Sequence, residues 1–209
     1  CGEHEGRRGV NRIIERSIKK NIITPIKESF YLPGLAACGV EYQDNKGNIS
    51  YEGITSKELE FLSKVPELMK PRFSKIIKTL FPAMERNIIN YHISKSICET
   101  RFSPTVNFNS LFELSTDDWG KRKIIQENLE GMMNDILYQA ELEGLNKSFF
   151  LHISPNLGTK NGKEIIKFAY QKDIGSTDIQ LLLKGATKDA GVLFLLNKYI
   201  GNKKGFFPF

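Results

Sequence analysis

An α+β fold, built from antiparallel strands with packed helices and a helix-rich N-terminal part, is predicted by three features of this chain. Apolar residues recur at helical spacing in some stretches, as in Ile125, Leu129, Met132, Met133, Ile136 and Leu137. Short stretches elsewhere alternate apolar and polar residues with a period of two, as strands do. Turn-forming clusters such as Asp44-Asn45-Lys46-Gly47-Asn48 separate strands by a few residues, which favours hairpins over helical crossovers. No repeat, linker or low-complexity tract divides the sequence, so residues 1–209 read as a single α+β domain. Within it, 1–85 is mainly helical with a hairpin near 40–52, and 86–209 carries the strands.

The elements follow in order. Val10, Ile13, Ile14, Ser17 and Ile18 have helical spacing, and Thr24-Pro25 restarts a helix because proline is tolerated in a first turn. Tyr31-Leu32-Pro33-Gly34 is a turn, and Val40 and Tyr42 then face Ile49 and Tyr51 across the 44–48 loop. Ser56 opens a helix, with Glu58 and Glu60 placed where carboxylates suit the helix dipole. Pro66, Pro71 and Pro82 predict several short helices after it. Ile89, Tyr91, Ile93 and Ile97 alternate with polar residues and predict a strand. Ser115 and Asp118 form a capping pattern for the helix that carries the 125–137 stripe, and Gly144 stops it. Residues 149–154 form a strand, 155–162 a loop and 164–171 a returning hairpin partner. Ser176-Thr177-Asp178 caps a last helical region, broken at Gly185 and resuming toward Tyr199.

Composition narrows the class. Hydrophobic content of 40% and charged content of 26% are those of an ordinary globular protein. The longest apolar run, Gly191 to Leu196, is far short of the roughly 18 residues of a membrane span. A net charge of +6 tilts the expected partners toward polyanions, RNA or nucleotides above all. Cys1, Cys38 and Cys98 are odd in number and widely spaced, which suggests neither a disulfide framework nor a zinc site. Cys1 at the first position is compatible with a processed chain. It is also compatible with a bacterial lipoprotein acylated at that cysteine and held at a membrane surface, or with an N-terminal nucleophile. Otherwise a cytoplasmic location is expected.

Two of the three histidines open the same tripeptide, His92-Ile93-Ser94 and His152-Ile153-Ser154. On a strand each imidazole would share a face with the serine two residues on. Paired histidines suit metal-free phosphodiester chemistry, in which one accepts a proton from the attacking oxygen and the other protonates the leaving oxygen. The arrangement over residues 87–171 resembles the two-histidine (2H) phosphoesterase superfamily, whose members carry two His-apolar-Ser/Thr-apolar motifs on strands lining one cleft. The resemblance implies a phosphodiesterase acting on RNA ends, cyclic phosphates or small oligonucleotides, with no metal or cofactor. His92 and His152 would be acid and base, and Ser94 and Ser154 would hydrogen-bond the phosphate. Lys95, Lys160 and Lys163 would add positive charge nearby. Arg86-Asn87 with His92 also resembles the Arg-(four to six residues)-His pattern of HEPN-type RNases, in which Arg86 would hold the phosphate. A non-enzymatic binding or surface protein is the reading from another class.

Overall fold

The computed structural model describes residues 4, 9–20, 33–51, 53–185 and 188–199. Its Cα positions group into two compact units, residues 1–54 with 185–209, and residues 55–184. The fold is α+β, with helices beside antiparallel sheets.

The first unit holds helix α1 (Val10–Lys19), strands β1 (Gly34–Ala36), β2 (Glu41–Gln43) and β3 (Ile49–Tyr51), and helix α6 (Lys188–Tyr199). The strands form one antiparallel sheet in the order β1-β2-β3. The hairpin expected near 40–52 is present, with Asp44 as its clasp: its carboxylate accepts from Lys46 N, Asn48 N and Asn48 Nδ2, each at 2.8 Å. Its register differs by one position, because Gln43 pairs with Ile49 and Glu41 with Tyr51. Gly34, the last residue of the expected 31–34 turn, instead opens β1 against β2, while Tyr31 and Leu32 lie outside the described residues. Helix α6 (Lys188–Tyr199) lays Phe194 edge-on against Tyr42 at 5.4 Å, and the Lys198 ammonium sits 3.9 Å from the Tyr42 ring centre.

In the second unit, helix α2 (Ser56–Leu80) starts at a full capping box, in which Thr55 and Glu58 satisfy each other's backbone N–H. Pro66 and Pro71 lie inside it, so the expected series of short helices is one helix of 25 residues. A proline costs a helix about 3 kcal/mol. Against two of them stand Phe61, Leu62, Val65, Met69, Phe73 and Ile77, all essentially inaccessible. At about 1.5–3 kcal/mol for each large side chain buried, packing outweighs the local penalty.

Helix α3 (Arg86–Ser96) replaces the strand expected from the 89–97 alternation, and only Ile97–Cys98 (β4) is extended. The buried positions are Ile89, His92 and Ser96, spaced as on one helix face, while Ile88 and Tyr91 are exposed. Strand β5 (Thr105–Asn107) and a short helix α4 (Asn109–Phe112) lead into helix α5 (Trp119–Leu142). Asp118 itself caps α5, accepting from Lys121 N at 2.8 Å, while Ser115 belongs to the turn before it. The Gly144 stop is met: with φ +78°, it donates to Glu141 O, and Leu145 N donates to Ala140 O, a paired bond pattern that closes the helix.

Strands β6 (Phe149–Ser154) and β9 (Asp178–Leu183) complete a four-stranded antiparallel sheet in the order β4-β5-β9-β6. Residues 178–183 were expected to be helical; they form a strand hydrogen-bonded on both sides. The Ser176 hydroxyl bonds Pro155 O and accepts from Lys167 N, so it does not cap a helix. Between β6 and β9 runs a separate hairpin: β7 (Asn156–Lys160) stands where the 155–162 loop is expected, and β8 (Lys163–Ile166) is a returning strand within the expected 164–171 region, paired with β7. Its turn is Asn161-Gly162, both at positive φ, the geometry that suits a tight two-residue hairpin.

Candidate functional site

Alternation along the four-stranded sheet sorts its side chains. Ile97, Val106, Ile179 and Ile153 lie in register across it and are buried, as are Phe149, Leu181 and Leu183. This is the face packed under the helices, with Phe149 against Phe61 of α2 at 5.4 Å. The opposite face is polar. Cys98, Thr105, Gln180 and His152 line up as one row, and Asn107, Asp178 and Ser154 as the next. These seven are partly accessible, and the His152 side chain is 38% exposed.

His152 is fixed by a knot around Glu164 of β8. The Glu164 carboxylate accepts from His152 Nδ1 at 2.9 Å, from Ile153 N at 2.6 Å and from Asn156 Nδ2 at 2.9 Å. With Nδ1 engaged by the carboxylate, Nε2 is the ring nitrogen without a partner among the described residues. On the neighbouring strand the Asp178 carboxylate accepts from Gln180 Nε2 at 3.0 Å and from Thr177 Oγ1 at 3.2 Å.

The structure does not bring the two tripeptides together. His92 is on α3, 4% exposed, with Nδ1 lacking a partner among the described residues. Burial pushes its pKa down, and the Glu113 carboxylate pulls weakly the other way, so a neutral imidazole is favoured. One turn on, Ser96 and Ser110 share a buried 2.6 Å hydroxyl bond. His152 sits on β6, the sheet edge opposite β4, three strand spacings or about 14 Å across. Ser94 is exposed and bonds Tyr91 O within its own helix; Lys95 lies 5.6 Å from the Tyr91 ring centre. Arg86 is exposed in the first turn of α3. Lys160 and Lys163 are cross-strand neighbours at the end of the β7–β8 hairpin, both exposed. Ser154 alone keeps its expected relation to His152. Cys1 lies outside the described residues.

The first unit has a polar cluster of its own: buried Glu41 accepts from His4 N, and buried Gln43 accepts from Asn11 Nδ2. Among the described residues no group of three His, Cys, Asp or Glu is placed to hold a metal. Nor is any described helix long and apolar enough to cross a membrane. Sequence reasoning missed Glu164, Asn156, Asp178, Gln180, Thr105 and Asn107. A usable signal existed in Asp178-Ile179-Gln180-Leu181, which alternates with period two but was obscured by the Ser-Thr-Asp segment before it.

A model of the glucosylglycerol-phosphate phosphatase family matches residues 1–209. A glucosylglycerol-phosphate phosphatase from Synechocystis sp. is 40% identical over 212 aligned positions, covering 99% of this chain and 49% of that protein. The chain therefore spans about half the length of the curated relative it matches. No solved structure matches it. These matches overturn the resemblances to two-histidine phosphoesterases and HEPN-type RNases, and with them the RNA or nucleotide substrate, and they give no support to the lipoprotein alternative. A tripeptide of one histidine and one serine is short enough to recur without common descent, and the helix under His92 removes the shared strand geometry. With every residue inside the family model and a relative at 40% identity along nearly the whole chain, this chain belongs to the glucosylglycerol-phosphate phosphatase family.

Proposed function

We propose that the protein hydrolyses the phosphate monoester of a glycosylated polyol, with glucosylglycerol phosphate as substrate. The observation that carries this reading is the 40% identity to the Synechocystis phosphatase across 99% of the chain. In the net reaction a P–O bond of the ester breaks, water supplies the replacing oxygen, and the neutral glycoside leaves with inorganic phosphate. An alkoxide is a poor leaving group, so its oxygen must receive a proton as the bond breaks. The chain's net charge of +6 favours approach of a phosphate dianion. Of the residues singled out from sequence, His152 and Ser154 stay in the proposal, as accessible groups on the polar sheet face. A cytoplasmic site of action belongs to the same reading, because a doubly charged ester does not cross a bilayer unaided. The test is phosphate release by the full-length protein. Release from glucosylglycerol phosphate, with 2′,3′-cyclic nucleotides left intact, is expected. An untouched monoester together with cyclic phosphate opening would overturn it.

A further inference from the structure

The polar face of the four-stranded sheet presents hydrogen-bonding groups that are held in fixed positions. Four groups on it have no hydrogen-bond partner among the described residues: His152 Nε2, Gln180 Oε1, Asn107 Nδ2 and Ser154 Oγ. Each is nevertheless held in place. His152 is tied through Nδ1 to Glu164, Gln180 through Nε2 to Asp178, and Asn107 through Oδ1, which accepts from Asn109 N at 2.9 Å. Ser154 is anchored by its backbone carbonyl, which accepts from Thr177 N at 2.8 Å. The face is thus preorganised, with one end of the His152, Gln180 and Asn107 side chains engaged and the other without a partner among the described residues.

We infer that this face, centred on Asp178, Gln180 and His152, binds the neutral polyhydroxylated part of the substrate and sets specificity for it. The inference rests on the proposed phosphatase reading. Charge selects the occupant. The two polar rows contain no Lys or Arg, and their one carboxylate outside the Glu164 knot, Asp178, would repel a phosphate. Hydroxyls suit the set, since each can donate to Asp178, Gln180 Oε1 or His152 Nε2 and accept from Asn107 Nδ2 or Ser154. Beside the polar rows, Phe150 pairs in register with the buried Leu182 on the same face, and the partly accessible Phe150 offers an apolar edge for the C–H face of a pyranose ring. Three strands by two alternate residues span roughly 10 Å by 7 Å, the footprint of a hexose with a short polyol arm. A site built to hydrogen-bond hydroxyls rejects esters that lack them, because its own polar groups would be left unpaired.

The test compares the full-length protein with its Asp178→Asn and Thr105→Val variants, each checked for an unchanged circular dichroism spectrum. The substrates are glucosylglycerol phosphate and p-nitrophenyl phosphate, which has no polyol. The ratio of their kcat/KM values is expected to fall about 10-fold in Asp178→Asn, mainly through KM for the glycoside ester, and less in Thr105→Val. Equal losses on both substrates, or a ratio unchanged in both variants, would overturn the inference. Saturation-transfer NMR with free glucosylglycerol separates it from the function reading. If the wild-type protein leaves the ester intact, the function reading fails, and the sheet face is then judged by binding alone. A signal present in wild type and lost in Asp178→Asn supports the site; no signal, or equal signals in both proteins, refutes it.

Discussion

Glu164 concentrates three donors on one carboxylate, and two of them belong to the edge strand β6. Ile153 N points away from β9, where no strand receives it, and the carboxylate supplies the missing acceptor at 2.6 Å. Glu164→Ala should therefore lower stability by about 2 kcal/mol, leaving a backbone N–H and an imidazole unpaired. Urea unfolding would measure it, and a loss below a few tenths of a kcal/mol would contradict the geometry. His92 makes a different prediction. Its folded pKa lies below the ordinary imidazole value of about 6.5 because it is buried. As pH falls below that value the unfolded chain takes up a proton that the folded chain resists, so stability declines toward the lowered folded pKa. His92→Leu should remove this component and bring the urea midpoints at pH 7 and pH 5 closer together than in wild type. Midpoints equally far apart in both proteins would assign the pH dependence elsewhere. His92 and His152 look alike in sequence terms, each followed by Ile and Ser. Only their neighbours separate a buried neutral imidazole from an accessible, oriented one.

At the scale of elements, helix α5 was legible because its signals agree. Its stripe has the helical period, Asp118 caps it and Gly144 closes it. Gln126, on the same helix, ties down the segment after β8: its Nε2 donates to Lys167 O and Ser176 O, and its Oε1 accepts from Ala169 N at 2.7 Å. This segment comes so close to itself that a Cβ on Gly175, at φ +67°, would lie 2.2 Å from Lys167 O. Gly175→Ala must then move backbone as well as adopt a disfavoured φ, and should cost roughly 2–4 kcal/mol. Thermal unfolding would read this, and a melting temperature matching wild type would count against the close approach. The elements that sequence misjudged, α3 and β9, share a cause. Residues 89–97 fit both a two-residue and a 3.6-residue period, and which residues are buried depends on α2 and α4 packing against them. Residues 178–183 gain their strand character from β5 on one side and β6 on the other, distant segments that local propensity does not register.

For the molecule as a whole, the second unit is one continuous stretch whose ends meet. Lys184 N donates to Ser148 O at 2.8 Å, while Glu58, which bonds Thr55 at the other end, has its carboxyl held below the ordinary range, where burial pushes it up but the Ser148 and Thr55 side chains and the Thr55 N–H together pull it down. Closed ends, a sheet of its own and two long helices predict that residues 55–184 fold when expressed alone. A single cooperative denaturation transition with native-like circular dichroism is the expected result. A gradual, uncooperative transition would mean that this stretch depends on the remainder of the chain.

By itself the sequence determined the α+β class, the 125–137 helix with its Gly144 stop, the hairpin near 40–52 though not its register, and the strand carrying His152. In each of these, nearest neighbours along the chain settle the backbone through period, cap or turn chemistry. Tertiary structure alone decided that α2 runs through two prolines, that His92 is helical and buried, and that Asp178 and Gln180 stand beside His152. Those outcomes depend on burial and hydrogen bonds between residues up to dozens of positions apart, whose energies exceed local preferences of about 1–3 kcal/mol. The repeated tripeptide was a real feature of the sequence, but its two copies were sent to different layers of the fold by partners it does not contain.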